Sequence, residues 1–117
     1  VSVNCNTVLY PVKDVSQAKA TFSALFGVAP HVDSPYYVGY SVDGHEIGLV
    51  PNGHEQGMSG PEPYYDVEDI VATIAELEAV GSVVIQPPTD VAAGLLVAKL
   101  RDTDGNLIGL KQLPVAS

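Results

Sequence analysis

The chain has 117 residues, with five Lys and Arg against fourteen Asp and Glu, a net charge of -9 and 46% apolar residues. At roughly 100 to 200 residues per domain this is one domain, and its apolar content excludes a disordered tail. The acidic balance repels phosphate backbones, so no nucleic-acid partner is expected, while the single Cys5 excludes an internal disulfide and any CxxC motif.

Thr7 to Val12 is an apolar run suited to a strand, and Asp14 behind it stands where a helix N-cap belongs, its carboxylate able to accept orphan N–H groups of a first turn. Val15, Ala18, Phe22, Leu25 and Phe26 then fall at helical spacing, Gln17 completes a capping box, and Gly27 supplies the stop. Segments of β character follow near Pro30 to Ser34, Tyr36 to Val42 and Glu46 to Val50, with Asp43-Gly44 as the turn before the last. Pro51 to Pro63 reads as a connecting loop.

The same grammar then repeats. Tyr64 to Val67 is a short apolar run, Asp69 a second N-cap, and Ile70, Thr73, Ile74 and Leu77 one helix face ended by Gly81. Strands are expected at Ser82 to Gln86, Leu95 to Arg101 and Leu107 to Gln112, with Pro87-Pro88 forcing an extended bend and Asp104-Gly105 a turn. Val67-Glu68-Asp69-Ile70 repeats Val12-Lys13-Asp14-Val15 at an offset of 55, and Gly105 to Leu110 repeats Gly44 to Leu49 at an offset of 61. The chain is therefore a duplicated β-α-β-β-β unit, module 1 at about 1–52 and module 2 at about 61–117, too short an array for a solenoid.

Three stretches, "YPVKDVSQAKATFSALFGV", "GHEIGL" and the closing "LRDTDGNLIGL", resemble the vicinal oxygen chelate superfamily of glyoxalase I, extradiol dioxygenases and bleomycin-resistance proteins. The resemblance covers nearly the whole chain; Thr103 departs from the DPDGN-type ending. It implies an α+β fold in which two βαβββ modules form a curled eight-stranded mixed sheet around a small-molecule cleft, and it implies a homodimer.

Enzymes of that superfamily hold a divalent metal with a first-strand and a last-strand residue from each module. Carried over, those positions are Thr7 and Glu62, each seven residues before its module's helix-opening Asp, and Gly48 and Gly109. Only Glu62 has a suitable donor, whereas a divalent site needs three or more His, Asp, Glu or Cys. The expectation is therefore no metal and no cofactor. His31, His45 and His54 do not pair at metal spacing, and His45 and Glu46 point to opposite faces of one strand.

Ligand-binding residues are expected on the cleft face: Thr7, Leu9, Glu46, Gly48, Glu62, Tyr64 and Gly109, with His54 and Met58 reaching in from the connecting loop. Gly48 and Gly109 should open volume at the floor for a flat ligand. Tyrosine combines an apolar face with a hydroxyl, the mixture that stacks an aromatic molecule, although strands favour aromatic residues in any case. Tyr37 joins the set on these grounds; Tyr36 and Tyr40 share the face opposite to it, the phase of that strand being open. Parity sends Tyr10 and Tyr65 to the core. Met58 is either a lid over an apolar pocket or packing beneath its own loop.

The expected function is metal-independent sequestration of a hydrophobic or aromatic compound, such as an antibiotic, with the acidic surface favouring a neutral or cationic ligand. The alternative is a lyase, isomerase or dioxygenase with a displaced metal site around Glu62, Glu46 and His54, or with Glu62 or Asp66 as an acid-base group. No catalytic residue is assigned. With no run of the ~18 to 20 apolar residues that a bilayer span needs and no leader-like opening, a cytoplasmic protein without a membrane partner is expected.

Overall fold

The computed structural model describes residues 3–114. The order of elements is β1 (Asn4–Pro11), α1 (Val15–Phe26), β2 (Val32–Asp33), β3 (Val38–Val42), β4 (His45–Val50), β5 (Glu62–Asp66), α2 (Ile70–Ala79), β6 (Val83–Ala92), β7 (Leu95–Arg101) and β8 (Leu107–Gln112). The fold is α+β, with β-α-β-β-β occurring twice. The chain divides into two compact units, Asn6–Glu62 and the part from Pro63 onward, which also takes the opening residues of β1.

In the first unit the strands run in the order β2-β3-β4-β1. β3 and β4 are antiparallel and joined by Asp43-Gly44, both at positive φ (50° and 82°), a two-residue turn whose twist suits a hairpin. β1 lies parallel to β4, which the α1 crossover makes possible. α1 begins where its cap requires: the Asp14 carboxylate accepts from the Gln17 N–H at 3.1 Å, and Gly27 at φ 71° ends the helix by donating its N–H to the Ser23 carbonyl. Val15, Ala18, Phe22 and Phe26 pack on Val38, Tyr40 and Leu49. Leu25, expected on that face, is instead 70% exposed. Phe26, expected on the same face, lies about 100° further round the helix and does pack on the core.

The second unit orders its strands β5-β8-β7-β6, with β5 parallel to β8. Asp69 caps α2 through the Ala72 N–H at 3.0 Å, and the Gln112 side chain accepts from the Ile70 N–H at 2.8 Å. At the other end Gly81 and Ser82 donate to the carbonyls of Glu78 and Leu77, the paired bonds that close a helix at a left-handed glycine. Ile70 and Ile74 are buried with Val67, Ala98, Leu100 and Leu110, and Leu77 packs against them.

The strand expected at Ser82 to Gln86 is a correction: β6 runs on to Ala92, through Pro87 and Pro88. Both prolines fall within a register shift between Gln86 and Thr89, on the edge strand, where a missing N–H removes no ladder bond. The residues gained over module 1 thus lengthen a hairpin, closed by Ala93-Gly94 at φ 48° and 93°. No helix among the described residues is long and apolar enough to cross a membrane.

Candidate functional site

In the first unit, side chains alternate between the α1 face and the opposite face. Tyr10, Val38, Tyr40, Ile47 and Leu49 belong to the α1 side. The opposite face therefore carries Thr7, Leu9, Gly39, Ser41, Glu46 and Gly48. The register sets Thr7, Glu46 and Ser41 abreast, and Leu9, Gly48 and Gly39 abreast in the next row. Two glycines side by side leave a bare strip of backbone.

Tyr37 lies on that strip. A Cβ added to Gly48 would stand 2.5 Å from Tyr37 Cε1 and 2.6 Å from Leu9 Cδ2, and one added to Gly39 would stand 2.8 Å from Tyr37 Cε2. The space expected to be open above Gly48 is filled by this ring. Its backbone is bonded to Ser34: the Tyr37 N–H donates to Ser34 Oγ at 3.1 Å, and the Ser34 N–H donates to the Tyr37 carbonyl at 3.0 Å. The phase left open for this segment is thereby set, with Tyr37 on the glycine strip, Tyr40 fully buried on the α1 side and Tyr36 81% exposed.

The Tyr37 hydroxyl donates to Glu46 Oε2 at 2.5 Å, and His31 Nε2 lies 2.7 Å from Glu46 Oε1. Because a carboxylate only accepts, Nε2 carries the imidazole proton in this pairing. His31 is tied to the same sheet by its own N–H, which donates to the Gly39 carbonyl at 2.9 Å. The His31 and Glu46 side chains keep 49% and 28% of their exposure, so solvent reaches both. Burial, then the hydrogen bond and the charge of Glu46, push the Tyr37 phenol well above the usual tyrosine range. Tyr37 is thus a hydrogen-bond donor at every physiological pH, and Glu46 is an acceptor held from both sides.

The structure brings Leu9, Tyr37, Glu46 and Gly48 together on this face, with Thr7 beside Glu46 and buried. Glu62 is buried at 6% exposure, at the start of β5. His54 stands exposed in the 51–60 loop. Met58 is buried at 5% beneath that same loop: its N–H donates to the Gly53 carbonyl at 2.9 Å, and its sulfur and Pro11 flank Gly53. His31 and Gly39 were not expected. Gly39 inside a strand was a legible sign of close approach; nothing local marks His31, whose partner is 15 residues away.

In the second unit Tyr64 stands abreast of Gly109, and a Cβ added there would lie 2.7 Å from the Tyr64 ring and 2.6 Å from the Pro63 carbonyl oxygen. Tyr65 turns to the α2 core, as parity requires. Asp66, on the Tyr64 side of β5, is paired with Lys111 at 3.3 Å. A surface depression of about 400 Å³ at the start of α2, bounded by Glu68, Asp69, Ala72, Thr73 and Glu76, contains none of the expected site residues.

The donor set expected for the superfamily's metal does not fit a divalent ion. Two of its four positions are glycines with rings lying on them, and a hydroxyl and one carboxylate fall short of the usual donor number. Among the described residues no group of three or more His, Cys, Asp or Glu is placed to hold a metal.

A twice-repeated βαβββ unit, which in its first copy carries the helix on one sheet face and a polar-aromatic array on the other, defines a duplicated α+β protein of the glyoxalase-like class. The chain belongs to the Glyoxalase/Bleomycin resistance protein/Dioxygenase superfamily, whose model matches residues 4–110. Among solved structures it is similar to a member of that superfamily from Vibrio splendidus 12B01, at 16% identity and TM-score 0.74, covering 96% of this chain and 100% of that one. Methylmalonyl-CoA epimerase from Mycobacterium tuberculosis is similar at 17% identity and TM-score 0.67, covering 96% and 88%. The Mn(II)-bound glyoxalase from Novosphingobium aromaticivorans is similar at 18% identity and TM-score 0.68, covering 92% of this chain and 38% of that one. At these identities the likeness is one of fold. No match was found among curated proteins.

Proposed function

We propose that the chain is a metal-independent binding protein that sequesters a hydrophobic or aromatic compound, an antibiotic being one example, and works as a cytoplasmic homodimer. The observation that carries this reading is the pair of last-strand glycines. At Gly48 and Gly109, where a metal enzyme of the superfamily would present ligands, an aromatic ring rests on bare backbone. A face built from flat apolar surface and a few fixed polar groups suits a planar organic molecule better than a hydrated cation. The net charge of -9 favours a neutral or cationic ligand.

The test is elemental analysis of protein purified without chelator, titration with Zn, Ni, Mn and Fe(II), and a thermal-shift screen against a broad aromatic library. Stabilisation by library compounds without retained metal is the expected result. Stoichiometric metal, or a library without a single stabilising compound, overturns the reading. Light scattering on the eluting protein decides the dimer.

The hydrogen-bonded His31, Glu46 and Tyr37 array favours one second reading, metal-free acid-base catalysis by a lyase or isomerase. On that reading a compound found in the screen is chemically altered on incubation, and Glu46→Gln stops the alteration while binding persists. Return of the unaltered compound decides for the binder.

A further inference from the structure

We propose that Tyr37 is an internal stand-in for the ligand, and that the Gly39 and Gly48 strip takes a hydroxylated aromatic ring by exchange with it. The inference deepens the small-molecule reading and rests on it, naming the class of compound as phenols.

The strip already holds a phenol in every respect that recognition needs. The ring lies over two glycines, with the Leu9 methyl also close to Gly48, and its hydroxyl donates to a carboxylate that His31 holds from the other side. A Cβ at either glycine would collide with that ring, so the bare backbone is shaped to an aromatic plane and not merely to a turn. The side chain that fills it comes from a segment able to let go. Tyr37 sits in the bend between β3 and β2, a strand of two exposed residues at the sheet edge. Edge segments with few backbone pairings open at low cost.

The exchange conserves the hydrogen bonds. An incoming phenol donates to Glu46 Oε2 as Tyr37 did, and the released Tyr37 hydroxyl is satisfied by water. An arene without a hydroxyl leaves Glu46 short of one donor in a partly desolvated place, which should weaken it roughly tenfold or more. A phenolate or a carboxylate would set its charge against Glu46 and is disfavoured.

The probes are p-cresol, which is the tyrosine side chain itself, and toluene, its hydroxyl-free counterpart. Amide resonances of Gly39 and Gly48 report binding to the wild type, Tyr37→Phe and Tyr37→Ala. The expected result is that p-cresol shifts both glycines in the wild type, binds Tyr37→Phe and Tyr37→Ala more tightly, and exceeds toluene roughly tenfold or more. Tyr37→Phe keeps the ring and loosens only the hydroxyl, so the test survives if Tyr37→Ala fails to fold. Equal binding of toluene and p-cresol overturns the proposal, as does a wild type whose two glycines stay unmoved at millimolar p-cresol. If the glycines stay unmoved while other library compounds still bind, the exchange fails and the small-molecule reading stands; if nothing binds, both fail.

Discussion

The hydroxyl of Tyr37 meets Glu46 at 2.5 Å while the ring of the same residue lies against Gly48, two positions further along β4. One side chain thus closes over the backbone strip and fixes the carboxylate beside it. Glu46 is held at the same time by His31, so movement of any one of the three loosens the other two.

The coupling predicts an alkaline signature. The ordinary tyrosine value is 10.0, and the Tyr37 phenol is raised above it by burial and by Glu46. Because the folded value exceeds the unfolded one, the stabilisation is fully present below pH 10 and is lost as the pH climbs through the raised folded value. Tyrosine ionisation followed by near-ultraviolet absorbance should have the same amplitude in wild type and Tyr37→Phe up to pH 10. An additional tyrosine titrating there in the wild type would contradict the Tyr37 and Glu46 pairing.

Gly48→Ala places a methyl 2.5 Å from the Tyr37 ring, a side chain that has somewhere to go. Gly109→Ala places one 2.6 Å from the Pro63 carbonyl, which belongs to the backbone and has less freedom to yield. Both should destabilise, by about 1 to 3 kcal/mol for overpacking, with Gly109→Ala the more costly. Urea denaturation ranks them, and the reverse order would show that Tyr37 is held more rigidly than the backbone beside Gly109.

Tyr40 is fully buried, its hydroxyl 2.8 Å from Ser23 Oγ and donating to the Lys19 carbonyl at 3.2 Å, which ties β3 to α1. Tyr40→Phe should cost about 1 kcal/mol by leaving those partners short. The midpoint in denaturant should fall with its slope unchanged. A neutral substitution would mean that water replaces the hydroxyl.

Asp69 and Gln112 serve two different orphan donors of α2, the N–H groups of Ala72 and Ile70. Asp69→Ala should cost about 0.5 to 2 kcal/mol. The double variant with Gln112→Ala should lose more than either alone, read as faster amide exchange in the first turn of α2. Equal exchange in the single and double variants would show that only one cap stabilises the helix.

Much of the architecture is legible along the chain. Asp14 and Asp69 start helices where their carboxylates reach an N–H three residues on, and Gly27 and Gly81 accept the left-handed geometry that ends them. Two-residue alternation likewise separates Leu9 from Tyr10 and Tyr64 from Tyr65 without knowledge of any neighbour. Prolines mislead at β6, because Pro87 and Pro88 break a central strand but not an edge one, and edge position is a property of the sheet.

Caps, turns and the alternation of faces can be read along the chain because each depends on hydrogen bonds or sterics within a few residues, and the repeat because two stretches of the chain share one pattern. The same pattern places Gly48 and Gly109 inside equivalent strands. What lies on those glycines depends on contacts across the sheet. Tyr37 reaches Glu46 across nine residues and His31 reaches it across fifteen. Those contacts exist because β2, β3 and β4 align three separate segments in one register. A side chain's partner across strands is set by that register and by the space two glycines leave, neither of which is written in its local neighbours.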